Sequence, residues 1–215
     1  MRPFWQKLGK RTDNRHNNAA LFLFLRSMDF FPTPNLPLVA VLIGALLVGI
    51  HLYGLMAADF CMLGARNFPR SRVWGTVLIS ISALWLLALV ATTDLGEFSA
   101  MRSRIMIALV VGAVLLWKFV PDFLSSRSLG FLLLLAAHPV LETTFLQSGM
   151  LHFALATLAY GWALAGLFLV GMPYLHRDLI GWICATKWRW NLACWAGLLY
   201  GLLLLTDGTR LEILN

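Results

Sequence analysis

The chain has 215 residues, of which 60% are hydrophobic and only 13% charged, with a formal net charge of +7 and a mean hydropathy of +0.76. Soluble domains carry roughly a quarter charged residues, so a single water-soluble core is excluded: it could not hide this much apolar surface. The basic residues lie in short clusters between apolar runs, the pattern of loops at a membrane surface, and no nucleic-acid partner is expected.

Residues 1–35 read as a basic tail followed by an interfacial helix. Arg2, Lys7, Lys10, Arg11 and Arg15 precede the stretch 19–31, "AALFLFLRSMDFF". That stretch is shorter than the ~20 residues a helical crossing needs, and Arg26 and Asp29 interrupt it, so it is expected to lie on the membrane surface. No small-x-small cleavage site precedes the next apolar run, and the segment is expected to be retained. "PTPNLP" then breaks the helix, because each proline lacks an amide donor and restricts its predecessor.

Five long apolar runs follow, at about 36–58, 73–93, 104–121, 150–175 and 190–206, with a sixth at about 128–145. Backbone amides cannot stay unpaired in lipid, and these runs lack the alternation of barrel strands, so they must be helices. The expected fold is all-α, a polytopic membrane bundle of about six embedded helices: five clear spans plus one that is kinked or re-entrant. Residues 36–206 form one transmembrane domain and 207–215 a short polar tail. Between the last two spans, "HRDLIGWICATKWRW" (176–190) reads as an interface-lying helix with an aromatic belt of Trp182, Trp188 and Trp190.

The sixth run decides orientation. If all six runs cross, one side receives the six N-terminal Lys/Arg residues with Arg102, Arg104 and Arg210, nine in all. The other receives Arg66, Arg70, Arg72, Lys118, Arg127, Arg177, Lys187 and Arg189, eight in all. If 128–145 turns back instead, the split is eleven against six with the N-terminus cytoplasmic. Pro139, inside "AAHPVLETTF", is a physical reason to doubt a straight span, since it frees the Leu135 carbonyl.

The same stretch carries the best candidate site. His138 and Glu142 are four residues apart and share a helix face; His138 can supply a donor to the freed carbonyl or pair with Glu142. His51 lies deep in the first run, with Asp59 ending that run two turns later on roughly the same face, and His152 opens the fifth. Ionisable groups inside a membrane are costly and usually face an interior or a pathway. Asp59, His138 and Glu142 are therefore the residues a proton or solute pathway would use. His51, His138 and His152 are those a b-type haem would use.

No cofactor or metal is otherwise expected. Cys61, Cys184 and Cys194 show no ligand spacing, and HExxH, GxSxG, P-loop and GxGxxG motifs are absent. Ser148, with His152 four residues on, is too common a pairing to identify a nucleophile. The clearest packing motif is Ala193, Gly197 and Gly201 at four-residue intervals, where small side chains let two helices approach closely; Ala45–Gly49 and Gly161–Ala165 are shorter versions. The expected protein is a non-enzymatic multi-pass component of a bacterial inner membrane, a structural or accessory subunit whose partners are lipid and other membrane subunits or further copies of itself. A small transporter and a haem- or quinone-handling redox subunit are the alternatives.

Overall fold

The computed structural model describes residues 35–119, 123–145, 147 and 149–214; the expected interfacial helix at 19–31, and Ser148, lie outside them. Among the described residues there are eight α-helices: α1 (Leu36–Met56), α2 (Ala58–Asn67), α3 (Arg72–Thr92), α4 (Arg102–Phe119), α5 (Leu124–Thr144), α6 (Met150–Gly171), α7 (Pro173–Ile183) and α8 (Lys187–Leu214). Six of them, all but α2 and α7, are long and apolar enough to cross a membrane. The protein is a multi-pass helical membrane bundle.

Local chemistry sets the boundaries. Pro37 and Pro173 sit in the first turns of α1 and α7, where a missing amide costs nothing. Ser71 caps α3, its hydroxyl accepting the Trp74 amide at 3.4 Å. Arg102, opening α4, reaches back to donate to the Ala91 and Thr93 carbonyls at 3.1 and 2.9 Å, closing the exposed end of α3. The expected interface helix at 176–190 is shorter than its sequence suggested. It runs from Pro173 to Ile183, and Trp188 and Trp190 belong to the first turn of α8.

The sixth apolar run is a continuous helix of 21 residues, about 32 Å long, and it begins four residues before the apolar stretch that announced it. It packs antiparallel on α6: each of Gly130 and Gly166 faces the other's backbone oxygen, and the far ends of the two helices meet where His152 bonds Thr144. With α3 it runs parallel, Gly75 lying against Leu124 and Ser125 and Ser82 bonding Ser128. Two parallel neighbours joined through α4 require α4 to return between them. The chain therefore alternates in direction through all six long helices.

A second pair, α1 and α8, is antiparallel over its whole length. Gly208 faces Pro37 and Ala40, Gly201 faces Gly44, Gly197 faces His51, and Cys194 faces Gly54. Both groups meet in a core of Leu36, Ala40, Val140, Leu151, Leu155, Ala159 and Leu204. Tyr200 adds a hydroxyl bond to the Ala154 carbonyl at 2.7 Å, tying α8 to α6. This core lies toward the end of the bundle where α1 starts and α8 finishes. The short amphipathic helices α2 and α7 mark the other end, called below the α2/α7 end. The large side chains on the outside, such as Leu42, Leu46, Phe153 and Leu199, are exposed and form the surface that meets lipid.

Candidate functional site

The polar groups singled out from the sequence fall into two separate places. His51 is on α1, one turn and a half from the α2/α7 end. Its Nδ1–H donates to the Leu47 carbonyl at 2.7 Å, which leaves the Nε2 lone pair facing α8. There it meets Gly197, where any Cβ would overlap the imidazole. Asp59 does not continue the face of His51. The helix breaks at Ala57 (φ −117°, ψ 44°), so Asp59 belongs to α2 and points away from the bundle. It pairs with Lys187 at 2.8 Å, the two side chains 78% and 68% exposed. The run of apolar residues hid this break because Ala57 and Ala58 carry no turn signal.

His138, Glu142 and His152 lie in the opposite half of the bundle. His138 Nδ1 stands 3.9 Å from Glu142 Oε2, beyond hydrogen-bond reach but within that of an ion pair. Their side chains are 60% and 72% exposed, so the pair projects outward from α5, while Ala137 and Val140 on the same turns are buried. His138 is about 9 Å inside the end of the helix and Glu142 about 3 Å, at 1.5 Å per residue. His152 donates from Nδ1 to the Thr144 carbonyl at 2.7 Å, satisfying the last turn of α5. The three histidines thus occupy opposite halves of the bundle and do not converge. Among the described residues no group of three or more His, Cys, Asp or Glu side chains gathers into a metal-binding arrangement.

The small-residue ladder on α8 is an intramolecular seam. Gly201 and Gly44 approach so closely that a Cβ on either would stand 3.0 and 2.9 Å from the other's carbonyl oxygen. Ala193 is half-buried one turn before Gly197. By contrast a Cβ placed on Gly49 or Gly161 would meet nothing within 4 Å, so those shorter motifs face outward.

One polar cluster carries no motif, and the sequence gives no sign of it. At the start of α5, Ser125, Ser126 and Ser128 are completely buried. Ser125 donates to the Phe68 carbonyl at 2.6 Å, and Ser128 to Leu124 at 2.7 Å and Gly75 at 3.2 Å. Ser126 Oγ is hydrogen-bonded to His176 Nδ1 of α7 at 2.8 Å. Phe68 packs edge-on to the same imidazole, 6.0 Å between centroids. Arg177 lies 5.9 Å over the ring of Phe123, a residue held in the left-handed region (φ 57°) as the chain turns into α5. Burial pushes the His176 pKa below its ordinary value, favouring the neutral ring. A serine bonded to a histidine is also how a nucleophile meets its base, but Ser126 has no accessible surface for a substrate to reach. The cluster holds α7 onto the bundle.

A second set of contacts ties α2 to the end of α7 and α8 to α1. The Arg66 guanidinium donates to the Cys184 carbonyl at the end of α7, and Trp190 donates to the Gly54 carbonyl at 2.9 Å. Burial raises the Cys184 pKa, outweighing the lowering effect of Arg66, so this thiol stays protonated and unreactive at neutral pH. No protein-family model, curated protein or solved structure matches the chain.

Proposed function

We propose that the chain is a non-catalytic accessory subunit of a complex in a bacterial inner membrane, and that the outward face of α5 around His138 and Glu142 is where a partner subunit sits. The observation that carries this reading is the direction of that pair. Ionisable side chains at membrane depth are expensive and are retained where something polar meets them. Here, among the described residues, the two side chains meet only each other, and the pair points outward. A partner helix offering a hydrogen-bonding or basic group supplies the missing contact. The proton-pathway and haem readings draw no comparable support, since each needs residues that stand in opposite halves of the molecule.

The test is affinity purification from native membranes of the wild-type chain beside His138→Ala/Glu142→Gln. A stoichiometric membrane partner is expected with the wild type and is expected to be lost from the double variant, whose helical content stays unchanged by circular dichroism. Wild-type chain that purifies alone under mild detergent would overturn the reading.

A further inference from the structure

We propose that the groove between α3 and α4 binds an anionic phospholipid, an acyl chain lying along it and the phosphate held at the α2/α7 end by Arg72 and Lys118. α4 has no buried residue and touches the bundle chiefly through α3. Between the two lies an open trough of about 260 Å³, lined by Thr76, Ser80 and Ala83 of α3 and Ala113, Val114 and Trp117 of α4, among others. The lining residues of α3 extend over about 10 Å of helix. The small side chains of Ser80, Ala83 and Ala113 leave the space, and Trp117 borders its α2/α7 end, donating from Nε1 to the Thr76 hydroxyl at 3.2 Å. That bond satisfies both polar groups and leaves a mainly apolar trough.

Charge selects the occupant. The trough is open along its side and lined by small residues, so a hydrocarbon chain of the surrounding bilayer can lie in it. The cations stand at the headgroup end. Arg72 is one turn before Thr76, whose hydroxyl donates to the Arg72 carbonyl at 2.9 Å; Lys118 adjoins Trp117, and both basic residues are exposed. Among the described residues, the ion pairs of this end are Asp59 with Lys187 and Asp178 with Arg177, and neither uses Arg72 or Lys118. Two exposed cations at the headgroup end of an apolar trough complement an anionic lipid. This site is remote from the His138/Glu142 face and is independent of the partner proposed there.

Native mass spectrometry of the purified protein equilibrated with equimolar phosphatidylglycerol and phosphatidylcholine tests the proposal. Each basic side chain near a membrane surface favours an anionic lipid by about fivefold, so the pair predicts a preference of about 25-fold for phosphatidylglycerol. Arg72→Gln with Lys118→Gln is expected to bring the two lipids near parity. Ser80→Phe fills the trough with the cations intact and is expected to lower retention of both lipids, with helical content unchanged by circular dichroism. Equal retention by the wild type, a preference that survives the double substitution, or retention unaltered by Ser80→Phe each overturns it. So does a photo-crosslinker in place of Ala113 that captures a protein helix in native membranes.

Discussion

His51 fits inside the α1/α8 seam because position 197 has no side chain. Its ring is fixed from one side by the Leu47 carbonyl and from the other by the bare backbone of Gly197. Gly197→Ala is therefore expected to destabilise the protein by about 1–3 kcal/mol, the usual cost of overpacking. In a His51→Ala background the same substitution should cost far less, and a double-mutant cycle on thermal unfolding in detergent measures the coupling. Equal costs in both backgrounds would show that the ring and the glycine do not compete for space. At the other polar contact, the folded-state pKa of His176 is below that of the unfolded chain, about 6.5. The unfolded state then binds more protons just below that value, so stability is complete above it and falls as pH drops through it. Protection of the α7 amides from hydrogen exchange, taken relative to the intrinsic rate at each pH, should fall as pH drops through about 6.5, and His176→Gln should abolish that pH dependence. The Asp59–Lys187 pair is different in kind: both groups are exposed, and Asp59→Asn is expected to change stability by less than about 1 kcal/mol.

The elements themselves were legible in the sequence to the degree that hydrocarbon announced them. All six apolar runs became helices, and bilayer physics leaves little alternative for such runs. What the runs concealed were features made of polar or small residues. α5 starts at Leu124 because "SSRS" buries its hydroxyls against carbonyls of Phe68, Gly75 and Leu124, partners that are remote in sequence except for the last. Serine density reads as loop until those partners are known. The break between α1 and α2 at Ala57 has no glycine or proline to mark it, so Asp59 looked like a continuation of the His51 face. The ladder Ala193–Gly197–Gly201 was visible, but whether its partner lay in the same chain was not, because small-residue spacing is the same for either. The structure gives the seam to α1. Gly201→Ile should accordingly lower the unfolding temperature, with the oligomeric state in size-exclusion chromatography unchanged. A shift to smaller species without destabilisation would assign the seam to subunit contact.

For the whole molecule, six alternating helices place the α2/α7 end on one side of the membrane and both flanks of the described chain on the other. The charge tie of nine against eight then loses its force. Basic residues orient a protein when they lie within about 15–20 residues of a span, and Arg2, Lys7, Lys10, Arg11 and Arg15 are all more than twenty residues from Leu36. Among the described residues, eight basic residues at the α2/α7 end face three at the other, Arg102, Arg104 and Arg210. We infer that the α2/α7 end is cytoplasmic, so that the anionic-lipid groove opens toward the cytoplasmic leaflet and the His138/Glu142 face lies toward the outer one.

The alternating bundle depends above all on α5 crossing the membrane despite Pro139. With Cys61, Cys184 and Cys194 replaced, single cysteines at Phe119 and Gln147 flank that helix, and a membrane-impermeant maleimide reports their sides in intact and permeabilised cells. Gln147→Cys should label in intact cells and Phe119→Cys only after permeabilisation; the reverse pattern would keep the crossing and invert the orientation. Both positions labelling under the same condition would mean that α5 turns back, and would contradict the six-span bundle.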